Sequence, residues 1–289
     1  MFEGFTLDRV DVGEAELRVR HGGQGPPVLL LHGHPRTHAT WHKVAPLLAD
    51  RYTVVCPDLR GYGRSSKPPT TPDHAPYSKR AMARDCVALM RALGHERFAV
   101  VGHDRGAYVA TRTALDHPGA VSALVVMDAV PIGAALARAD AAFAARWWHW
   151  FFYGQTAKPA EKVINADPDA WYAAAGAPME PEAWEDYQAA IHDPATVHAM
   201  MEDYRAGLGI DRAHDDADRA AGRRVTAPTL VVWAARDDLE DLYGDPVAVW
   251  REWADDVRGQ VVDCGHHIAE EAPGRLAEAL TDFLDQQRK

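Results

Sequence analysis

Asp104 stands between glycines in the run Gly102, His103, Asp104, Arg105, Gly106, directly after an apolar stretch and before a helix-compatible one that begins near Ala107. The spacing predicts a sharp strand-to-helix turn, because small residues at 102 and 106 let the backbone pass close to its neighbours and push residue 104 into a pocket. The following helix would point the positive end of its dipole at the carboxylate and favour its ionised, nucleophilic form. Glycine-flanked aspartates are common in turns, so this pattern needs partners. One is the run LLLHGHP at 29–35, an apolar strand ending in His-Gly, whose loop through His34 can offer backbone N–H donors. Together with the N–H of Arg105 these would hold an oxyanion as charge develops. The other is DCGHHIAEEAP at 263–273, where His266 follows a strand end and can serve as a base, with His267 as its neighbour.

These residues need a scaffold that brings strand ends together. Short β-rich runs recur at 26–33, 52–58, 97–104, 122–128, 228–237 and 259–267, separated by helical stretches. Apolar runs of this length predict a mostly parallel sheet flanked by helices on both faces, an α/β fold. The runs at 5–12 and 16–22 alternate apolar and polar residues across a short glycine-containing turn and predict a hairpin at the sheet edge. Between Ser78 and Gly94, residues Met82, Cys86, Leu89, Met90 and Leu93 recur at helical spacing, with Ser78 as N-cap and Gly94 as stop. After Asp128 the rhythm breaks for nearly a hundred residues. A structureless loop of that length is improbable, so 131–225 reads as an inserted helical subdomain, with 1–130 and 226–289 as the core. It holds WWHWFFY at 147–153, Trp171 and Trp184, five of the nine tryptophans. No repeat, low-complexity segment or interdomain linker is evident.

The 289 residues carry a formal net charge of -11, which argues against nucleic acid or an anionic membrane as partner. An anionic substrate would need a local positive site. The N-terminus lacks a basic stretch followed by an apolar one, so a soluble cytoplasmic protein is expected. Cys56, Cys86 and Cys264 are odd in number and widely spaced, and read as buried apolar residues. No metal-ligand spacing or phosphate-cradling loop is present and no cofactor is expected; His32 and His34 read as loop residues.

Taken together, the blocks HGHPRTHATWHKVAPLLADRYTVVCPDLRGYGRSSKP, GHDRG, LDHP, MDAVP, WWHWFF, EDYRAG and CGHH resemble the α/β-hydrolase superfamily and, within it, the fluoroacetate (haloacetate) dehalogenase family. The resemblance implies a sheet with a helical cap, a homodimer, and hydrolytic cleavage of the carbon–halogen bond of a small halogenated acid by water. By motif, Asp104 attacks the halogen-bearing carbon to form an ester, and His266 activates the water that hydrolyses it. Asp128 in MDAVP orients His266, with Asp237 at the other position where the superfamily keeps its acid. Asp237 otherwise reads as a solvated turn residue. His149, Trp150 and Tyr204 match the halide site, and Arg105 matches an arginine that grips the substrate carboxylate. The family's second such arginine is replaced by Tyr108, which leaves Arg36 and Arg112 as candidate substitutes. Two other readings stay open. One is an epoxide hydrolase with Tyr204, Tyr153, Tyr172 or Tyr108 as acid; the other is a non-catalytic scaffold on the same fold.

Overall fold

A computed structural model describes residues 1–172 and 179–287. Its eight strands are β1 (Thr6–Asp11), β2 (Glu16–Gly23), β3 (Pro27–Leu31), β4 (Thr53–Pro57), β5 (Phe98–His103), β6 (Val121–Met127), β7 (Thr229–Ala234) and β8 (Val257–Val262). They form one sheet in the order β1-β2-β4-β3-β5-β6-β7-β8. β1 and β2 make the expected edge hairpin, β2 joins β4 antiparallel, and every other pairing is parallel.

The central strands are apolar throughout because both faces are covered. Leu29, Leu31, Val100 and Val126 belong to one buried cluster, with Met82, Leu89 and Val109 from the helices Lys79–Ala92 and Arg105–Asp116. Their strand neighbours Val28, Leu30, Val101 and Val125 belong to the opposite cluster, with Leu276, Leu280 and Phe283 from the helix Pro273–Gln286. The alternation follows from the two-residue period of a strand. The helix Lys79–Ala92 starts as its sequence predicts: the Ser78 hydroxyl accepts from the Ala81 N–H at 3.2 Å, and Gly94 beyond its end has φ +87°. All three cysteines are free and buried.

Between β6 and β7 the chain runs through helices from Ile132–Ala137 to Arg212–Ala220. Buried ion pairs fasten this insertion to the sheet and its helices. Lys79 pairs with Asp203 and Asp211, the Tyr62 hydroxyl donates to Asp203 at 2.7 Å, and Arg18 pairs with Asp186 at 2.5 Å. Removing one member of such a pair leaves an uncompensated buried charge and costs ~3–5 kcal/mol. Two arginines named as candidate substitutes take part in such pairs. Arg112 is held by Asp116, Asp215 and Asp218, and Arg36 is paired with Glu270 at 2.9 and 3.1 Å. Both cations are therefore engaged in holding the fold.

Candidate active site

Asp104 follows β5 directly and occupies φ 50°, ψ -119°, a region that costs a non-glycine residue about 1–3 kcal/mol. Close packing keeps it there. A Cβ on Gly102 would lie 2.2 Å from the Gly106 carbonyl oxygen, and one on Gly106 would lie 2.4 Å from that of His32. The motif glycines are thus a steric requirement. His32 is buried in the same wall, its Nδ1 donating to the Gly33 carbonyl at 2.9 Å and its Nε2 accepting from the Leu59 N–H at 3.0 Å.

The backbone N–H of His34 donates to Asp104 Oδ1 at 2.7 Å. Burial alone would raise the Asp104 pKa, but the positive charges of His266 and Arg105 and the Arg105 backbone N–H outweigh it and hold the carboxyl below its usual range. The carboxylate is therefore ionised at neutral pH. The His34 ring packs edge-on to Tyr204 with centroids 5.2 Å apart and lies 5.1 Å from that of Tyr153. Among the described residues neither ring nitrogen has a partner, and burial pulls its pKa down to about 3.

His266 places Nδ1 2.8 Å from Asp128 Oδ2 and 2.7 Å from Asp237 Oδ2. Sequence reasoning ranks Asp128 first and reads Asp237 as a turn residue; the fold brings both to one nitrogen. Asp128 directly follows β6, Asp237 follows β7, and these strands are neighbours, with Met127 opposite Val232. Burial disfavours charge on His266, yet its bonds to the two acids and the charge of Asp104 raise its pKa well above the ordinary value. The buried ring of His103, 4.7 Å from that of His266, donates from Nε2 to the His266 carbonyl at 2.8 Å.

Asp104 and His266 share two adjoining cavities. One, of about 180 Å³, is also lined by Tyr108, His149, Trp150 and Asp237. The other, of about 420 Å³, is lined by His34, His149, Tyr153 and Tyr204. The expected halide residues thus lie around Asp104 on the helices Trp148–Tyr153 and Pro194–Ala206, with the Tyr204 ring 5.9 Å from His149 and 6.2 Å from Trp150. Burial draws the His149 pKa down to about 4, leaving a neutral ring.

Arg105 is the surprise. It is buried, its Nε donates to Asp203 Oδ2 at 2.9 Å, and its Nη2 donates to the Asp203 carbonyl at 2.9 Å. Its guanidinium carbon lies 4.1 Å from the centre of the Tyr204 ring, 5.2 Å from Tyr108 and 5.4 Å from Trp150. Its Nη1 has no partner among the described residues. Asp203 went unnoticed in the sequence, although it adjoins Tyr204 in EDYRAG.

Two sets of residues place ligand-capable atoms within 4.8 Å of one another: His103, Asp128 and His266, and His38, Asp58 and Asp186. Hydrogen bonds account for both. Asp128 is bonded to the His266 ring, and Arg18 brings its own positive charge to Asp58 and Asp186 at 3.5 and 2.5 Å. Among the described residues, no helix is long and apolar enough to cross a membrane.

Residues 26–273 match the family model of the α/β hydrolase fold. The chain is 45% identical to a fluoroacetate dehalogenase from Burkholderia sp, over its whole length and 96% of that protein. It is 32% identical to a soluble epoxide hydrolase from Corynebacterium sp. (strain C12), over 91% of each. A crystal structure from Nostoc sp PCC 7120, described as an α/β hydrolase, superimposes with a TM-score of 0.95 at 44% identity, over 98% of this chain and 99% of that one.

Proposed function

Because the chain belongs to the α/β-hydrolase family and, within it, to the family of the fluoroacetate dehalogenases, we propose that it hydrolyses the carbon–halogen bond of small halogenated acids through an ester on Asp104. The observation that carries this reading is the ionised Asp104 carboxylate, held by the His34 N–H at 2.7 Å in the cavities it shares with His266.

In the first step the free oxygen of Asp104 attacks the substrate carbon, and the halide leaves with the bonding electron pair. Halide leaving a dry pocket needs fixed donors in place of water. His149, Trp150 and Tyr204 supply N–H and O–H groups for this, and the helical insertion acts as the cap that carries them. Arg105 Nη1 takes one oxygen of the substrate carboxylate.

Esterification removes the negative charge of Asp104, one of the charges that hold the proton on His266. His266 then releases its Nε2 proton to solvent and stands neutral, able to act as the base. Its Nδ1 faces the acids, so Nε2 takes a proton from water, and the resulting hydroxide attacks Cγ of the ester. Oδ1 bears the developing charge on the His34 and Arg105 N–H groups. The Cγ–O bond breaks, the departing oxygen takes the proton from His266 Nε2 to leave as the hydroxy acid, and Asp104 keeps a water oxygen and loses its remaining proton to solvent.

Fluoride or chloride release from fluoroacetate and chloroacetate tests the reading, with loss of release in Asp104→Ala as control. Arg36 and Arg112 being engaged favours a second reading, a neutral epoxide. In that case Tyr204 and Tyr153, whose ring centroids lie 4.8 Å apart, would protonate the opened oxygen. Diol formation from styrene oxide without halide release would select it.

A further inference from the structure

We propose that Asp128 and Asp237 work as one carboxyl pair, carrying a single proton and a single negative charge between them, and that both are positioning residues for His266. The proposal rests on the reading of His266 as the base that hydrolyses the ester.

The geometry motivates it. His266 has one Nδ1–H, yet Asp128 Oδ2 and Asp237 Oδ2 lie 2.8 and 2.7 Å from that nitrogen. Two ionised carboxylates meeting at one atom repel each other, and such pairs settle by retaining a proton. Exposure decides where it rests. The Asp128 side chain is 1% exposed and that of Asp237 27%, so the charge is better solvated on Asp237. Asp128 Oδ1 accepts only a long bond from the Ala234 N–H, at 3.2 Å. The directions of titration agree. Burial, against the pull of His266, raises the Asp128 pKa to about 7. Asp237 is also partly buried, but its bonds to His266 and Asp128 hold it well below the usual range.

Other titratable groups around the pair do not remove the conflict. Asp104 and His103 face His266 from the end of β5, and His149 faces it from the insertion. His267 and Cys264 flank it in sequence. Asp238 adds further negative charge beside Asp237 and is itself bonded by Trp147 Nε1 at 2.9 Å and offset by Arg146. With one shared proton, His266 faces a single charge from the pair, which orients the ring without locking the imidazolium in place.

The consequence is that either acid can stand in for the other. Asp128→Asn keeps the neutral partner and the charge on Asp237, while Asp237→Asn lets Asp128 ionise. Each should retain turnover within about tenfold of the parent, whereas the double variant should lose ~10³–10⁴-fold, as when an orienting acid is removed from a catalytic histidine. In Asp128→Asn the ionisation near 7 should vanish from the pH profile of ester hydrolysis. Infrared spectra of the resting protein at neutral pH should contain a carboxylic-acid carbonyl band that Asp128→Asn removes, a readout independent of turnover and of folding in the double variant. A single variant as inactive as the double, or no such band, overturns the pair. Turnover that survives Asp104→Asn would instead overturn the catalytic reading, whatever the infrared result.

Discussion

The His34 backbone N–H donates to Oδ1 of Asp104 at 2.7 Å, so this oxygen is fixed before substrate arrives. On the proposed route it becomes the ester carbonyl and the other oxygen is the nucleophile. Catalysis of this kind depends on donors placed where charge will develop, and the geometry depends on Gly33. A Cβ at that position would lie 2.4 Å from Oδ1 and 2.5 Å from the Cβ of Asp104.

Gly33→Ala should therefore fold yet displace the carboxylate. A misplacement of about 1 Å is worth ~100-fold in rate. Steady-state halide release should fall by at least that factor with the circular-dichroism spectrum unchanged; parent-like turnover would show that the position of Oδ1 is unimportant.

We propose that Tyr108 sets which substrate charge the pocket accepts. It is buried beside Asp104, edge-on to Trp150 at 5.9 Å, where the resemblance expects an arginine. A charge-assisted hydrogen bond contributes ~1.5–3 kcal/mol, about 10- to 100-fold in affinity. Tyr108→Arg should raise kcat/KM for chloroacetate by a factor in that range, mostly through KM. An unchanged KM would mean that the carboxylate is held elsewhere.

What the sequence made legible is the chemistry at strand ends. Asp104, His34 and His266 had to sit where they do because element boundaries expose side chains and backbone donors there. The partners were hidden because they are set by tertiary contacts. Asp237 looks like any turn aspartate until β7 is seen beside β6. Arg105 gives no sign in the sequence that Asp203, 98 residues away, takes two of its nitrogens and leaves Nη1 to face a substrate. The ion pairs of Arg36 and Arg112 were hidden for the same reason, since an arginine's partner leaves no local trace.

Buried neutral histidines make stability depend on pH. Burial, reinforced by the His266 charge, lowers the His103 pKa from 6.5 to about 3, and burial also lowers that of His34 to about 3. Below 6.5 the unfolded chain takes up protons that the folded one refuses, so stability falls as pH drops through this window. His266, whose pKa is raised, contributes stability that is complete below 6.5 and lost only at higher pH. Melting temperature should drop between pH 6.5 and about pH 5, and less steeply in His103→Gln, which keeps a neutral N–H donor. Equal slopes would remove His103 from this account.

The ester on Asp104 is tested most directly by a single turnover in heavy-oxygen water, with enzyme in excess over haloacetate, followed by mass analysis of the peptide containing Asp104. Hydrolysis at the ester carbonyl predicts one heavy oxygen in that peptide and none in the hydroxy acid of the first turnover. Heavy oxygen in the product alone, with the peptide unlabelled, would mean that water attacks the substrate carbon directly and that Asp104 never bonds to it.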